Sequence, residues 1–149
     1  MMAESNLTQS EAHLLITMEK QRIDEKRWDY PSLGGLISIP LVSIDKREKF
    51  LLDISRKGID LSKSTYQNRS REIVILLRLD LGKRHRNPDG EEISSNHLHI
   101  YREGYGDKWA YPIPEDKFPH LENLYQTLID FMRYCNITRS PIIEESLFS

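Results

Sequence analysis

The stretch Glu72-Ile73-Val74-Ile75-Leu76-Leu77-Arg78-Leu79-Asp80 constrains the fold of this chain more than any other segment. Its β-branched start and nearly unbroken apolarity over so few residues fit a strand, and one covered on both faces. Such a strand is stable only between neighbours, so the remainder must supply further strands and a covering layer. Ile73, Ile75, Leu77 and Leu79 are expected to face one layer. The other face ends in Arg78 and Asp80, which would lie beside whatever polar side chains the next strand carries.

Partners for this strand are legible on both sides of it. Thr8-Gln9-Ser10-Glu11 fits a capping box, so a helix is expected over about residues 9–21, with Leu14, Leu15 and Met18 as its apolar stripe. The charged residues 19–27 read as its frayed end or a loop. After the turn residues Pro31-Ser32-Leu33-Gly34-Gly35, residues 36–44 are rich in Ile, Leu and Val, and Phe50, Leu52 and Ile54 alternate through 49–55. The two predict an antiparallel hairpin ended by Lys57-Gly58.

Asn87-Pro88-Asp89-Gly90 has the chemistry of a β-turn, with proline at its second position and glycine at its fourth. A strand over 97–103 follows, broken by Gly104 and Gly106, and a short one at 108–111 closes before Pro112 and Pro114. From 121 to 135, Leu121, Leu124, Tyr125, Leu128, Ile129, Met132 and Cys135 keep helical spacing. The fold class expected is α+β: an N-terminal helix, an antiparallel sheet of about four to five strands, and a C-terminal amphipathic helix packed on it. One domain is expected over 1–149, with an ordered core at about 8–137 and a tail, 138–149, loosely attached.

Composition narrows the function classes. A net charge of −2 with 30% charged residues excludes a global polyelectrolyte, so any electrostatic recognition must be local. A single cysteine, Cys135, excludes a disulfide framework within the chain, and a cytoplasmic setting is expected. No membrane segment is expected, because no apolar run approaches the ~18 residues a spanning helix needs. Glycine-rich phosphate loops, G-x-S-x-G elbows and dinucleotide fingerprints are absent from the sequence.

The chemistry concentrates at Asn96-His97-Leu98-His99-Ile100-Tyr101-Arg102-Glu103, where strand alternation puts His97, His99, Tyr101 and Glu103 on one face. Two imidazoles one strand repeat apart can reach one metal ion, and His85 with Asp89 in the preceding loop could complete a site if that loop folds back. The spacing from Gly90 partly imitates a cupin motif, but the interval differs, no second histidine motif follows, and the strands are too few for a jelly roll. The same histidines also suit an ordinary polar sheet face. A third reading is metal-free RNA cleavage, with His85, His97, His99 and Tyr101 as acid, base and orienting groups and Arg78 and Lys108 on phosphate oxygens. Arg69 and Arg71 in a basic middle segment, with Tyr66 as a stacking surface, would favour single-stranded RNA, unless this segment is a solvated loop.

The blocks at residues 66–71, Ile75-Leu76-Leu77-Arg78-Leu79-Asp80, residues 85–91 and 97–110 resemble an uncharacterised family of small bacterial proteins over about residues 8–137. More distantly, the Arg-x-Asp strand, the histidine loop and the His-x-His segment, over about 75–103, are similar to toxins of the TumE type from toxin–antitoxin modules. The expectation drawn from these readings is a protein acting on RNA, as a metal-independent endoribonuclease-like toxin with no cofactor and RNA or a cognate antitoxin as partner. Two alternatives remain open: a non-enzymatic binding or inhibitor protein, phage- or defence-associated, using the polar sheet face, and a histidine-ligated metalloenzyme.

Overall fold

The computed structural model describes residues 6–56 and 63–145. Among the described residues two helices, α1 (Gln9–Thr17) and α2 (Leu124–Tyr134), accompany twelve strands. These are β1 (Lys20–Arg22), β2 (Arg27–Asp29), β3 (Leu36–Ser43), β4 (Lys49–Arg56), β5 (Ser64–Ser70), β6 (Val74–Leu81), β7 (His85–Arg86), β8 (Glu92–Ile93), β9 (His97–Ile100), β10 (Ala110–Tyr111), β11 (Ile137–Arg139) and β12 (Ile142–Glu144). Eight strands form one sheet in the order β10-β9-β6-β5-β4-β3-β1-β11, and β12-β2 and β7-β8 make two small pairs.

The α+β class therefore holds, but the sheet is larger than the four to five strands expected, and mixed rather than antiparallel. Its β1–β11 pair is parallel, as is β2–β12. The tail expected to hang loose is thus tied into the fold as far as residue 145. Ile137 and Ile143 are buried, Tyr125 donates its hydroxyl to the Ile143 carbonyl, and Thr138 bonds Glu19. The expected strand end at Lys57-Gly58 lies outside the described residues.

The Thr8–Glu11 capping box opens α1 as the sequence predicts, yet the helix ends at Thr17 and not near residue 21. Lys20 turns inward instead of continuing a charged, solvated end. Its Nζ donates to the carbonyls of Ile16, Met18 and Cys135 at 2.8–2.9 Å, and β1 begins there. Tertiary hydrogen bonding has overridden local helix propensity.

The polar segment Ser64-Thr65-Tyr66-Gln67-Asn68-Arg69-Ser70 reads from sequence as a loop because its side chains are mostly polar. It is β5, in the middle of the sheet, paired along its whole length with β4 and β6. Its even-numbered residues are buried and its odd-numbered ones half-buried. The β5–β6 pairing slips between Asn68 and Arg69, leaving Leu76 as an extra residue, so Leu76 and Leu77 are both buried. That bulge reverses the alternation: Ile75 is half-buried and Ile73 is 48% exposed, so neither joins Leu77 and Leu79 in the core.

Register sorts the sheet into an apolar and a polar face. Ile37, Ile54, Tyr66, Leu79 and Leu98 are successive cross-strand neighbours on β3, β4, β5, β6 and β9. They lie on the face carrying the core, where Tyr66 packs on Phe131 of α2 with ring centroids 6.2 Å apart. One residue along, Ser38, Asp53, Gln67, Arg78 and His99 form a lateral row, and Leu36, Ser55, Thr65, Asp80 and His97 form another. Because strand side chains alternate, these rows share the opposite face. Arg78 and Asp80 therefore lie directly beside His99 and His97, as the sequence pattern anticipates.

Candidate functional site

The polar rows line a groove of about 480 Å³ whose one end is formed by His85 and His97 with Arg78, Asp80, Lys83 and Arg84. His97 and His99 come from β9 inside the sheet and are each 1% exposed. His85 comes from β7, brought over β9 by the turn at Asn87-Pro88-Asp89-Gly90. In that turn the Gly90 N–H donates to the Asn87 carbonyl at 2.8 Å. Asn87 anchors the hairpin by bonding both the N–H and the carbonyl of Ala110 on β10. The three imidazoles stand 4.6, 4.8 and 5.5 Å apart between ring centroids, and a ring nitrogen from each lies within 4.8 Å of the others.

Each imidazole gives one ring nitrogen to a main-chain carbonyl. His85 Nε2 bonds Lys108 at 2.8 Å, His97 Nδ1 bonds Ser94 at 2.8 Å, and His99 Nδ1 bonds Asp107 at 2.7 Å. A carbonyl only accepts, so those nitrogens carry a proton, and the other nitrogen of each ring is the one left for a further partner. For His99 that is Nε2, 3.1 Å from Arg78 Nη2. For His97 it is Nε2, which is buried and makes no hydrogen bond. Asp80 Oδ2 stands 3.3 Å from His97 Nε2 and 3.2 Å from His99 Nε2. Both Nε2 atoms thus converge on one carboxylate oxygen, and the space between them suits a positive charge, either a proton or a bound cation.

Burial would raise the Asp80 carboxyl, but the His97 and His99 imidazoles, Arg78 and the Thr65 hydroxyl outweigh it and hold it well below the usual carboxylate range. Burial pushes the His85 pKa below its ordinary value against the opposing Lys108 carbonyl bond, with His99, His97 and Arg78 adding positive repulsion. His85 is therefore neutral near pH 7, as a ligand must be.

The other residues expected at a site are placed elsewhere. Tyr101 is 3% exposed, and its hydroxyl donates to the Leu7 carbonyl and accepts from the Leu7 N–H, so it pins the approach to α1. Glu103 caps the same end through the Gln9 N–H. Tyr66 is fully buried and bonds the Leu124 carbonyl, which removes it as a stacking surface. Arg69 is clamped on Asp53 through Nε and Nη2. Arg71 lies on the exposed β5–β6 turn at φ 53°. Lys108 reaches the cluster through its carbonyl, its side chain being exposed. Cys135 is fully buried at the end of α2, and burial pushes its thiol up to about 12, an inert packing residue.

Two contributors escape sequence reasoning. Asp107, which holds Arg78 by its side chain and His99 by its carbonyl, sits in a glycine-flanked turn with no periodic signal. Ser94 likewise acts only through its carbonyl. Asp80 was visible as the end of an Arg-x-Asp strand, but its place under both histidines depends on strand pairing.

Among the described residues no helix is long and apolar enough to cross a membrane. Residues 7–137 match the family of unknown function DUF6978, and the chain belongs to that family. No curated protein and no solved structure matches it.

Proposed function

Starting from membership in a family without an assigned function, we propose that His85, His97 and His99 bind a divalent transition-metal ion, most naturally zinc, at a hydrolytic centre. One observation carries this reading: buried His97 Nε2 has no hydrogen bond, and with His99 Nε2 it faces the ionised Asp80 carboxylate. A dication among these groups would be coordinated by both nitrogens and balanced by the carboxylate. Three carbonyl-braced imidazoles are also how proteins fix the tautomer and direction of metal-ligating histidine.

Ligand nitrogens on one tetrahedral zinc lie roughly 3.4 Å apart at Zn–N distances of about 2.1 Å. The present spread of up to 4.8 Å therefore requires the rings to close in. His85 is the member able to move, being half-buried on a two-residue strand, whereas His97 and His99 are fixed inside the sheet. Three protein ligands leave an open position, where a bound water loses its proton near neutral pH and becomes a nucleophile. Asp80 supplies the negative charge that draws the cation in.

The metal-free RNA cleavage expected from the sequence has less geometric support. Two of its three imidazoles are 1% exposed, Tyr101 is engaged with Leu7, and Arg69 and Arg78 are already paired with carboxylates. RNA stays in the proposal as one phosphodiester substrate for the metal centre.

The test is titration of chelator-treated protein with zinc, and with cobalt(II) as an absorbing probe. Wild type should bind one equivalent, and a His97→Ala/His99→Ala variant should lose at least 100-fold in affinity. Equal binding by both proteins, or none by wild type, would overturn the metal centre and return the groove to a polar binding surface.

A further inference from the structure

Arg78 occupies the position a metal would contest. Its Nη2 lies 3.1 Å from His99 Nε2, its Nε 3.2 Å from Asp80 Oδ2, and its Nη1 bonds the Asp107 carboxylate. In this arrangement the guanidinium is the cation that partly quiets the cluster. It answers His99 and Asp80 but leaves His97 Nε2 without a hydrogen bond.

We infer that metal loading displaces Arg78 from His99 and so creates a binding site for a phosphate ester between the metal and the freed guanidinium. This rests on the metal-centre reading above. Metal and guanidinium compete for one nitrogen: coordination by His99 Nε2 removes the atom that Nη2 now contacts. The ion also repels the guanidinium and neutralises Asp80, weakening the contact at Nε. The Asp107 carboxylate, outside the cluster, is the one partner left. Arg78 then stays tethered by Nη1 at the groove's edge with Nε and Nη2 unspent.

The ligand class follows from what surrounds those donors. The groove carries four cationic side chains, Arg69, Arg78, Lys83 and Arg84, against two carboxylates, Asp53 and Asp80, before any metal is counted. Arg84 is exposed beside His85 at the mouth. A phosphate monoester can place one of its three terminal oxygens on the metal and two on a guanidinium edge, with its second negative charge answered by nearby Arg84, whereas a planar carboxylate has only two oxygens to share among these groups. Substrate and metal would then bind in order, the anion site existing only after the ion has entered.

Phenyl phosphate, with benzoate as the carboxylate control, probes this directly. Zinc-loaded protein should bind phenyl phosphate at least tenfold more tightly than zinc-free protein and at least tenfold more tightly than benzoate. Arg78→Gln should lose that gain while binding zinc at least as tightly as wild type, because a competitor for His99 has gone. Arg78→Lys, a point charge without the fork, should recover only part of it. In the wild type, the Arg78 guanidinium ¹⁵N signal should move on zinc addition and again on phenyl phosphate, which tests displacement without any variant having to fold.

Failure to bind zinc would remove the metal centre and this site together. Zinc binding with an unmoved Arg78 signal, with phenyl phosphate affinity the same in both states, or with benzoate bound as well, would overturn this inference and leave the metal centre standing.

Discussion

Two polar clusters are buried in this fold, and they differ in how completely they use their hydrogen-bonding groups. Lys20, 0% exposed, gives its ammonium to three carbonyls at the ends of α1 and α2 and lies 4.9 Å from the Phe50 ring. Every donor is used, and the cluster joins two helix ends to β1. The histidine cluster, equally buried at His97 and His99, leaves His97 Nε2 without a hydrogen bond and brings it and His99 Nε2 within 3.3 Å of one Asp80 oxygen. Other buried polar atoms are also unpartnered, among them Ser70 Oγ, Asn68 Oδ1 and Asp130 Oδ2, but among the described residues the possible metal ligands that converge are His85, His97 and His99. A buried polar group that is fully bonded supports the fold, while an unbonded one that converges with other ligand groups on one point marks a place where something binds.

Variants separate the two clusters. Lys20→Met should have the largest effect, roughly 3 kcal/mol of unfolding free energy, because it strands three buried helix-end carbonyls. Urea unfolding measures it, and zinc stoichiometry should stay at one. A loss under about 1 kcal/mol would mean those carbonyls find water and the cluster is not a structural tie.

Zinc at 100 times its dissociation constant should stabilise wild type by about 2.7 kcal/mol, from mass action alone. The His97→Ala/His99→Ala variant should show no zinc-dependent rise in melting temperature. The same pair of proteins, expressed without a partner in a bacterium, tests the toxin expectation: growth arrest by wild type alone would support it.

The pH response distinguishes the clusters again. Lys20 has its pKa lowered to about 8 by burial. Between pH 8 and the ordinary lysine value of about 10.4 the unfolded chain holds a proton that the folded one has released, so stability rises with pH in that window. Lys20→Met should abolish this rise. His85, also lowered, stays neutral below the usual histidine value of about 6.5. Its contribution to stability is present above about pH 6.5 and is lost as pH falls through its lowered folded value. Zinc affinity should fall over the same acid range, read by titration at stepped pH.

Arg71→Ala should have the smallest effect, within about 0.5 kcal/mol, since Arg71 lies on an exposed turn and reaches Glu48 only at 3.5 Å. A larger loss, or a loss of zinc binding, would show that the β5–β6 turn governs the register of the site.

Much of this molecule was legible in advance because local chemistry was decisive there. The Thr8–Glu11 cap, the Asn87–Gly90 turn, the β3–β4 hairpin and the apolar stripe of α2 each rest on residues close in sequence. β5 was not legible, since Ser, Thr, Gln and Asn carry no strand pattern and owe their conformation to ladders on both sides. Nor was the end of α1, set by a lysine bonding to Cys135 115 positions away.

At the site the division is the same. The sequence by itself determined that His97 and His99 share a face and that Arg78 and Asp80 alternate with leucines, because strand geometry has a period of two. Only the tertiary structure decided that Asp80 lies under both imidazoles, that His85 comes home to them and that Tyr101 does not. Register between strands, the Asn87 tether and the bond to Leu7 are long-range choices, and no local periodicity encodes which partner a strand face will meet.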